Sequence, residues 1–339
     1  MLKLSGPTYT YSGESLGAET LIYMADHHYD AERHCYHLEP LLNTGTARVI
    51  FDHVLQHDGP LHNRDLMYFP CFMAKENRQF VTELIVPDWT QKRSSFNFMI
   101  NKPRPHREFL LLLLTHFGLH TDHYTLPWKN GGVNQTRLGE QAPQYQDWLS
   151  TTPFVWKPHL YVTGPETVMD QGVRNRHVKN STSYQQLFQK EVFEPTYISL
   201  ITEPAFYEQE TIITEKTLMS IWAGTLPIWV GGWRMPDHMR ALGFDVFDDV
   251  VDHSYQNLPN AWDRAYRAVE SNLKILRDPD LCRSYFEQNQ HRFQHNLDLA
   301  RTEPWLAQCR NLIQSSTGDL QKNLLEILSQ FVANDQIGQ

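Results

Sequence analysis

Tyr197-Ile-Ser-Leu-Ile-Thr-Glu203, then Ile213-Thr-Glu-Lys-Thr-Leu-Met-Ser-Ile-Trp-Ala-Gly224, then Thr225-Leu-Pro-Ile-Trp-Val-Gly-Gly232, is the run whose order decides the fold. Alternation and β-branching make Tyr197 to Thr202 a strand. Leu218, Ile221 and Trp222 share one apolar face of a helix for which Thr214 is a natural N-cap and Gly224 a natural residue past the C-terminus. Pro227 cannot continue that helix. Leu226 to Val230 then returns as a buried strand, and a right-handed crossover makes it parallel to the first. The layout is one βαβ unit.

Ligands of parallel sheets sit beyond the carboxyl ends of the strands, here beside Glu203, the Ala205–Glu210 loop and the amino end of the Thr214 helix. Free N–H groups and the dipole at that end favour an anion, and Lys216 adds a point charge suited to a diphosphate. Glu215 would repel phosphate and is better used on the hydroxyls of a ribose. An N-cap followed by charged residues is also ordinary helix punctuation, so the motif gains weight only from its surroundings.

Those surroundings include a second strand–loop–helix element. Ser95 to Ile100 reads as a strand, Asn101 to Pro105 as a turn, and His106 to Phe117 as a helix closed by Gly118. Lys102, Arg104 and Arg107 place cations at the helix start, where they oppose the dipole unless an anion lies between them. Residues 120–185, rich in Pro, Gly, Thr and Asn, read as loops and short elements. Leu258, Trp262, Tyr266, Val269 and Leu273, then Leu281, Tyr285, Phe293 and Leu297, then Leu320, Leu324, Ile327, Leu328 and Phe331, mark core-facing C-terminal helices. Glu19 to Met24 reads as a strand running into Asp26-His27-His28-Tyr29-Asp30, and Ala47 to Phe51 as another strand, so the N-terminal region is expected to be a small α/β lobe.

Taken together, Glu203, Thr214-Glu215-Lys216, Ala223-Gly224-Thr225, Pro227 and Gly231 resemble the donor-binding signature of inverting sugar transferases of the α1,3-fucosyltransferase type (family 10), and more loosely the exostosin-like transferases, especially viral and bacterial members without a membrane anchor. The chain departs from that pattern at Pro204, where the family carries Asn, at Ile212, often aromatic there, and in a longer loop to Thr214. The resemblance implies a GT-B-like α/β fold, two Rossmann-like lobes with parallel sheets facing a cleft, followed by C-terminal helices. It also implies that Arg104 or Arg107 neutralises the diphosphate of the donor. Leu242-Gly-Phe-Asp-Val-Phe-Asp-Asp249 with Tyr255 looks like the segment that closes the site in those relatives, and reads equally as a capped turn.

Inverting transfer needs a base facing the donor from the N-terminal lobe; Asp26 or His27 fits, with Glu83 and Asp88 next. His27, His28, His34, Cys35 and His37 match no zinc spacing, no Asp-x-Asp pair ends a strand, and Asp278-Pro-Asp280 fits a helix start, so no metal is expected. No cofactor is expected beyond the donor substrate itself, a GDP- or UDP-linked sugar.

Length and composition set the frame. A chain of 339 residues, 41% hydrophobic and 20% charged, is expected to divide into lobes. The expected division is an acceptor-side lobe over 1–90, a donor-binding domain over 91–315, and a C-terminal helix over 316–339 packing back on the lobes. A net charge of -9 opposes tight nucleic-acid binding, although Arg174, Arg176, His177 and Lys179 form a local basic strip. Cys35, Cys71, Cys282 and Cys309 lack CxxC spacing and read as reduced thiols of a cytoplasmic protein. Phe109 to Leu114 is far shorter than the roughly 20 residues that span a bilayer, so no membrane insertion is expected. The reading is an enzyme that moves a sugar from a nucleotide-diphosphate sugar to a glycan or other hydroxyl acceptor. The alternatives are a viral transferase that glycosylates modified DNA bases and a non-catalytic nucleotide-sugar or glycan-binding module.

Overall fold

The computed structural model describes residues 20–24, 47–51, 54–55, 66–82, 88–92, 94–98, 104–119, 123–125, 133–153, 195–203, 206, 210–211 and 213–332. In chain order these form β1 (Thr20–Met24), β2 (Ala47–Phe51), β3 (Val54–Leu55), β4 (Leu66–Tyr68), α1 (Cys71–Thr82), β5 (Ser94–Phe98), α2 (Pro105–His116), β6 (His123–Thr125), α3 (Gln135–Gln141), α4 (Gln146–Thr151), β7 (Thr196–Ile201), β8 (Glu210–Thr211), α5 (Glu215–Ala223) and β9 (Leu226–Trp229). Helices follow: α6 (Met235–Ala241), α7 (Ala261–Glu270), α8 (Leu273–Arg277), α9 (Pro279–Gln288), α10 (Gln290–Arg301), α11 (Pro304–Ser315) and α12 (Gly318–Phe331).

The larger sheet has the order β6-β5-β7-β9, with every neighbouring pair parallel. A parallel strand covered by helices on both faces has no solvent side, and β7 is accordingly buried at every position. On one face Phe96, Phe98, Ile198, Leu200 and Ile228 meet Leu110, Leu113, Trp262 and Val269. On the other, Ile201 and Trp229 meet Trp222, Met235 and Met239, and beyond them Phe80 and Trp305. The polar residues of the sheet satisfy one another: Asn97 Nδ2 donates to Thr196 Oγ1 (2.6 Å) and Ser199 Oγ (3.0 Å), and Ser199 and Ser220 both pair with Thr225. A second sheet, β1-β2-β4, is also parallel.

Two contacts join the strand exits of these sheets. β3, just after β2, pairs antiparallel with β8, which follows β7. Tyr68, the last residue of β4, lies edge-on to His238 of α6, their ring centroids 5.6 Å apart. Behind them α1 packs on α5, α11 and α12. The expected boundary at 315/316 falls between α11 and α12, two helices that share this contact. Phe80 of α1 stacks on Trp222 of α5 at 5.7 Å.

The helix ends follow their capping residues. Thr214 caps α5 and Gly224 ends it at φ 59°. Asp278 caps α9, with Pro279 in the first helical position. The stripe from Leu281 to Leu297 is broken at Asn289 into α9 and α10, and Leu258 precedes α7, which Asn260 caps. Within 120–185, α3 and α4 are helical; Asn134 accepts from the Arg137 amide and thereby starts α3. Cys71, Cys282 and Cys309 are buried and form no disulfide among the described residues, while Cys35 lies outside them. No helix among the described residues is long and apolar enough to cross a membrane.

Gly224 is held by two constraints at once. Its φ is left-handed, and a Cβ added there would lie 2.7 Å from Cε2 of Trp89. Gly224→Ala is therefore expected to lower unfolding free energy by ~3 kcal/mol, the left-handed penalty plus an overpacking cost. Urea denaturation reads this directly; a loss of only ~1–2 kcal/mol, the left-handed penalty alone, would mean that Trp89 swings aside.

Candidate functional site

From β5 the chain passes to β6 on one side and later to β7 on the other, so the direction of the sheet reverses between β5 and β7. Crevices open beyond the carboxyl ends of strands at such reversals. Here the crevice is flanked by α2, which follows β5, and α5, which follows β7. Both helices present their amino ends to it, and with them the positive ends of their dipoles, which favour an anion.

Arg104 occupies the N-cap of α2 without a side-chain cap, and Pro105 opens the helix. The buried Arg107 donates from Nη2 to the carbonyl of Thr202 at 3.2 Å, fastening the first turn of α2 to the exit of β7. Burial first, then the neighbouring charge of Arg104, pushes the Arg107 guanidinium down to about 10, still a cation at neutral pH. His106 is buried between them and stacked on Phe206, centroids 4.7 Å apart. Burial holds its imidazole well below its ordinary value, helped by the charges of Arg107 and Arg104 and opposed by a hydrogen bond to the Glu203 backbone. It is neutral at pH 7, and its Nε2 has no partner among the described residues.

Across the crevice, Glu203 has no exposed surface. One carboxylate oxygen accepts from the Thr214 amide (3.1 Å) and Thr217 Oγ1 (2.7 Å), the other from Thr214 Oγ1. Burial nevertheless raises its pKa, against the pull of Lys216 and those hydroxyls. Glu203 thus pins α5 to β7, with its oxygens engaged by the protein's own donors. Thr214 is also the cap of α5, accepting from the Lys216 amide. Lys216 Nζ pairs with Glu215 at 2.7 Å and reaches Thr214 Oγ1 at 3.2 Å; both side chains are partly exposed. Glu215 and Glu203 act electrostatically on Arg107, and Lys216 acts on His106.

All six donor-side candidates, Arg104, Arg107, Glu203, Thr214, Glu215 and Lys216, therefore lie at the exit of β7 and the starts of α2 and α5. Arg107 is the buried arginine of the two, Arg104 the more exposed. Asp26 and His27 lie outside the described residues, as do Glu83, the His27–His37 cluster and the basic strip at Arg174–Lys179. Asp88 accepts from the amide and hydroxyl of Thr90 and caps a short 3-10 turn. Among the described residues no group of His, Cys, Asp and Glu is arranged to hold a metal ion.

The segment from Leu242 to Tyr255 is fastened by its own ion pairs: Asp248 to Arg240, and Asp245 and Asp249 to Arg292. Tyr255 is buried, which raises its pKa. Beside this segment lies a polar cavity of about 440 Å³ between Arg234, Asp237, Asp252, His253 and Gln256. Comparison with models of protein families, with curated proteins and with solved structures finds no match.

Three residues of the site escape sequence reasoning. His106 and Phe206 find each other only in the fold. Glu76 does leave a trace, since it falls between Met73 and Phe80 on the stripe by which α1 is buried. It is 5% exposed, and burial pushes its carboxyl up to about 8, with Lys75 opposing and Glu215 reinforcing the shift.

Removing the Glu203 carboxylate would strand three buried donors, each costing ~1–3 kcal/mol. Glu203→Ala is thus expected to lose at least ~3 kcal/mol of stability and to speed amide exchange at Thr214, with Glu203→Gln, which keeps one acceptor, falling between. Urea melts with hydrogen exchange test this, and a loss below ~1 kcal/mol for the alanine variant would show that α5 is anchored elsewhere.

Proposed function

We propose that this chain is a glycosyltransferase that binds a nucleotide-diphosphate sugar at the crevice between β5 and β7 and passes the sugar, with inversion and without a metal, to a glycan or other hydroxyl-bearing acceptor. The observation that carries the reading is the convergence of two helix amino ends with Arg104, Arg107 and Lys216 at the reversal of a parallel sheet. The order of Glu203, Thr214-Glu215-Lys216 and Ala223-Gly224-Thr225 supports it through the family resemblance.

In this reading the acceptor oxygen attacks the anomeric carbon as its bond to the diphosphate oxygen breaks. The leaving diphosphate gains negative charge, and fixed cations aimed at it stabilise the transition state more than the ground state. Arg107, already locked on Thr202, meets it without reorganisation. Lys216 exchanges Glu215 for a phosphate oxygen, and the released Glu215 accepts from nucleotide hydroxyls. Asp26 or His27 takes the acceptor proton from the N-terminal lobe. A GT-B arrangement is supported by the joining of strand exits, β3 to β8 and Tyr68 to His238, which turns the carboxyl edges of two parallel sheets toward a common space.

Thermal-shift measurements with GDP-, UDP-, CMP- and dTDP-sugars provide the test. A ligand at 100 times its dissociation constant adds about 2.7 kcal/mol. One nucleotide class is expected to stabilise the wild type and to fail with Lys216→Ala, and chromatography of the reaction products is expected to show sugar transfer or donor hydrolysis. Stabilisation by none of the four would sink the reading; binding without turnover would leave a nucleotide-sugar binding module.

A further inference from the structure

Glu76 stands where the mechanism above has no use for it, and its placement is specific. The stack of Phe80 on Trp222 sets α1 and α5 side by side. On α1, Glu76 lies one turn before Phe80 on the same face; on α5, Glu215 and Lys216 lie about two turns before Trp222. The carboxyl is thereby carried toward the first turn of α5, where the reading above places a diphosphate. Its nearest cation, Lys75, stands 3.7 Å away, beyond a normal hydrogen bond, on a side chain that is 48% exposed. An ionised carboxylate at this place would be buried, weakly compensated and close to both Glu215 and an incoming polyanion.

We propose that Glu76 is a positioning residue whose retained proton is a condition of diphosphate binding at the amino end of α5. The inference rests on the donor-site reading above. With Glu76 neutral, Lys216 is held by Glu215 and Thr214 and acts on Glu203, and it can exchange Glu215 for a phosphate oxygen. With Glu76 ionised, the neighbourhood holds one more negative charge, Lys216 is drawn toward a further carboxylate, and the diphosphate is repelled.

The charges around the group are few. Glu215 and Lys216 face it from α5 and Lys75 from its own helix. From the other helices packed on α1, Arg301 of α10 lies over the ring of Trp222, Glu303 before α11 is taken by Arg78, and α12 contributes Leu324, Ile327 and Leu328. The value of about 8 that burial sets for Glu76 places the change inside an accessible range, below the titration of Arg107 at about 10.

The test is calorimetric titration of GDP and UDP into the full chain from pH 7 to pH 9, where the terminal phosphate of the nucleotide, with a second pKa of about 6, is mostly ionised. If only the protonated form binds, affinity falls about tenfold over that interval. Glu76→Gln, a neutral isostere, is expected to bind at pH 7 as the wild type does and to show a flat profile to pH 9. At pH 8.5 the wild type is expected to take up a fraction of a proton on binding, seen by repeating the titration in buffers of different ionisation heat, and Glu76→Gln none. Binding with the same pH profile in both proteins, or with no proton uptake by the wild type, overturns the inference and leaves the donor site standing. Absence of binding by either nucleotide at any pH overturns both together. Should Glu76→Gln fold poorly, the proton uptake of the wild type alone decides.

Discussion

The carboxylate of Glu203 is the constraint on which the rest of the crevice depends. A buried carboxyl is costly unless its lone pairs are met, and here they are met by one amide and two hydroxyls of a single helix start. The bonds fix where α5 begins relative to the exit of β7. Because α5 is short, fixing its start also fixes Trp222 at its far end, and with Trp222 the seat of Phe80 and hence of α1. Removing one acceptor would thus be felt at the sheet, at α5 and at the helix that comes from the other end of the chain.

Around that anchor the protein concentrates charge. Arg104 and Arg107 crowd the amino end of α2, where the helix dipole disfavours cations. Arg107 is held there by the Thr202 carbonyl in spite of burial and of Arg104. His106 contributes no charge, being kept neutral by the same surroundings.

Much of this was legible before any coordinates. The βαβ run from Tyr197 to Val230 appears with its cap at Thr214 and its stop at Gly224, because capping is local chemistry that one or two side chains decide. That the six candidate residues would lie at one strand end and two helix starts was legible for a related reason, since strand ends and helix starts are adjacent in sequence as well as in space. The helices at Gln135–Thr151 were obscured by Pro143 and Gly139, which punctuate short elements as readily as loops. The split at Asn289 was hidden because the apolar stripe continues in phase through the break. Glu76 was legible in part: its place on the buried stripe of α1 marks it as buried, but Glu215 and Lys216, which act on it, lie on another helix far along the chain.

The connection between Glu203 and Thr214 is longer than the resemblance would lead one to expect, and its route explains its length. Phe206 is drawn to one side, stacked on His106 and against Trp262, with its carbonyl accepting from Arg264 at 2.9 Å. Glu210 and Thr211 are drawn to the other, where they pair with Val54 and Leu55. A chain leaving a strand and returning to the next helix could be much shorter; this one must visit two distant anchorages on the way. Its contour length is therefore set by reach rather than by turn geometry, and the connection serves as a tether between the region around β2 and the sheet that carries the crevice. A shorter connection in its place would sacrifice one anchorage, loosening either the seat of His106 or the tie between the two sheets.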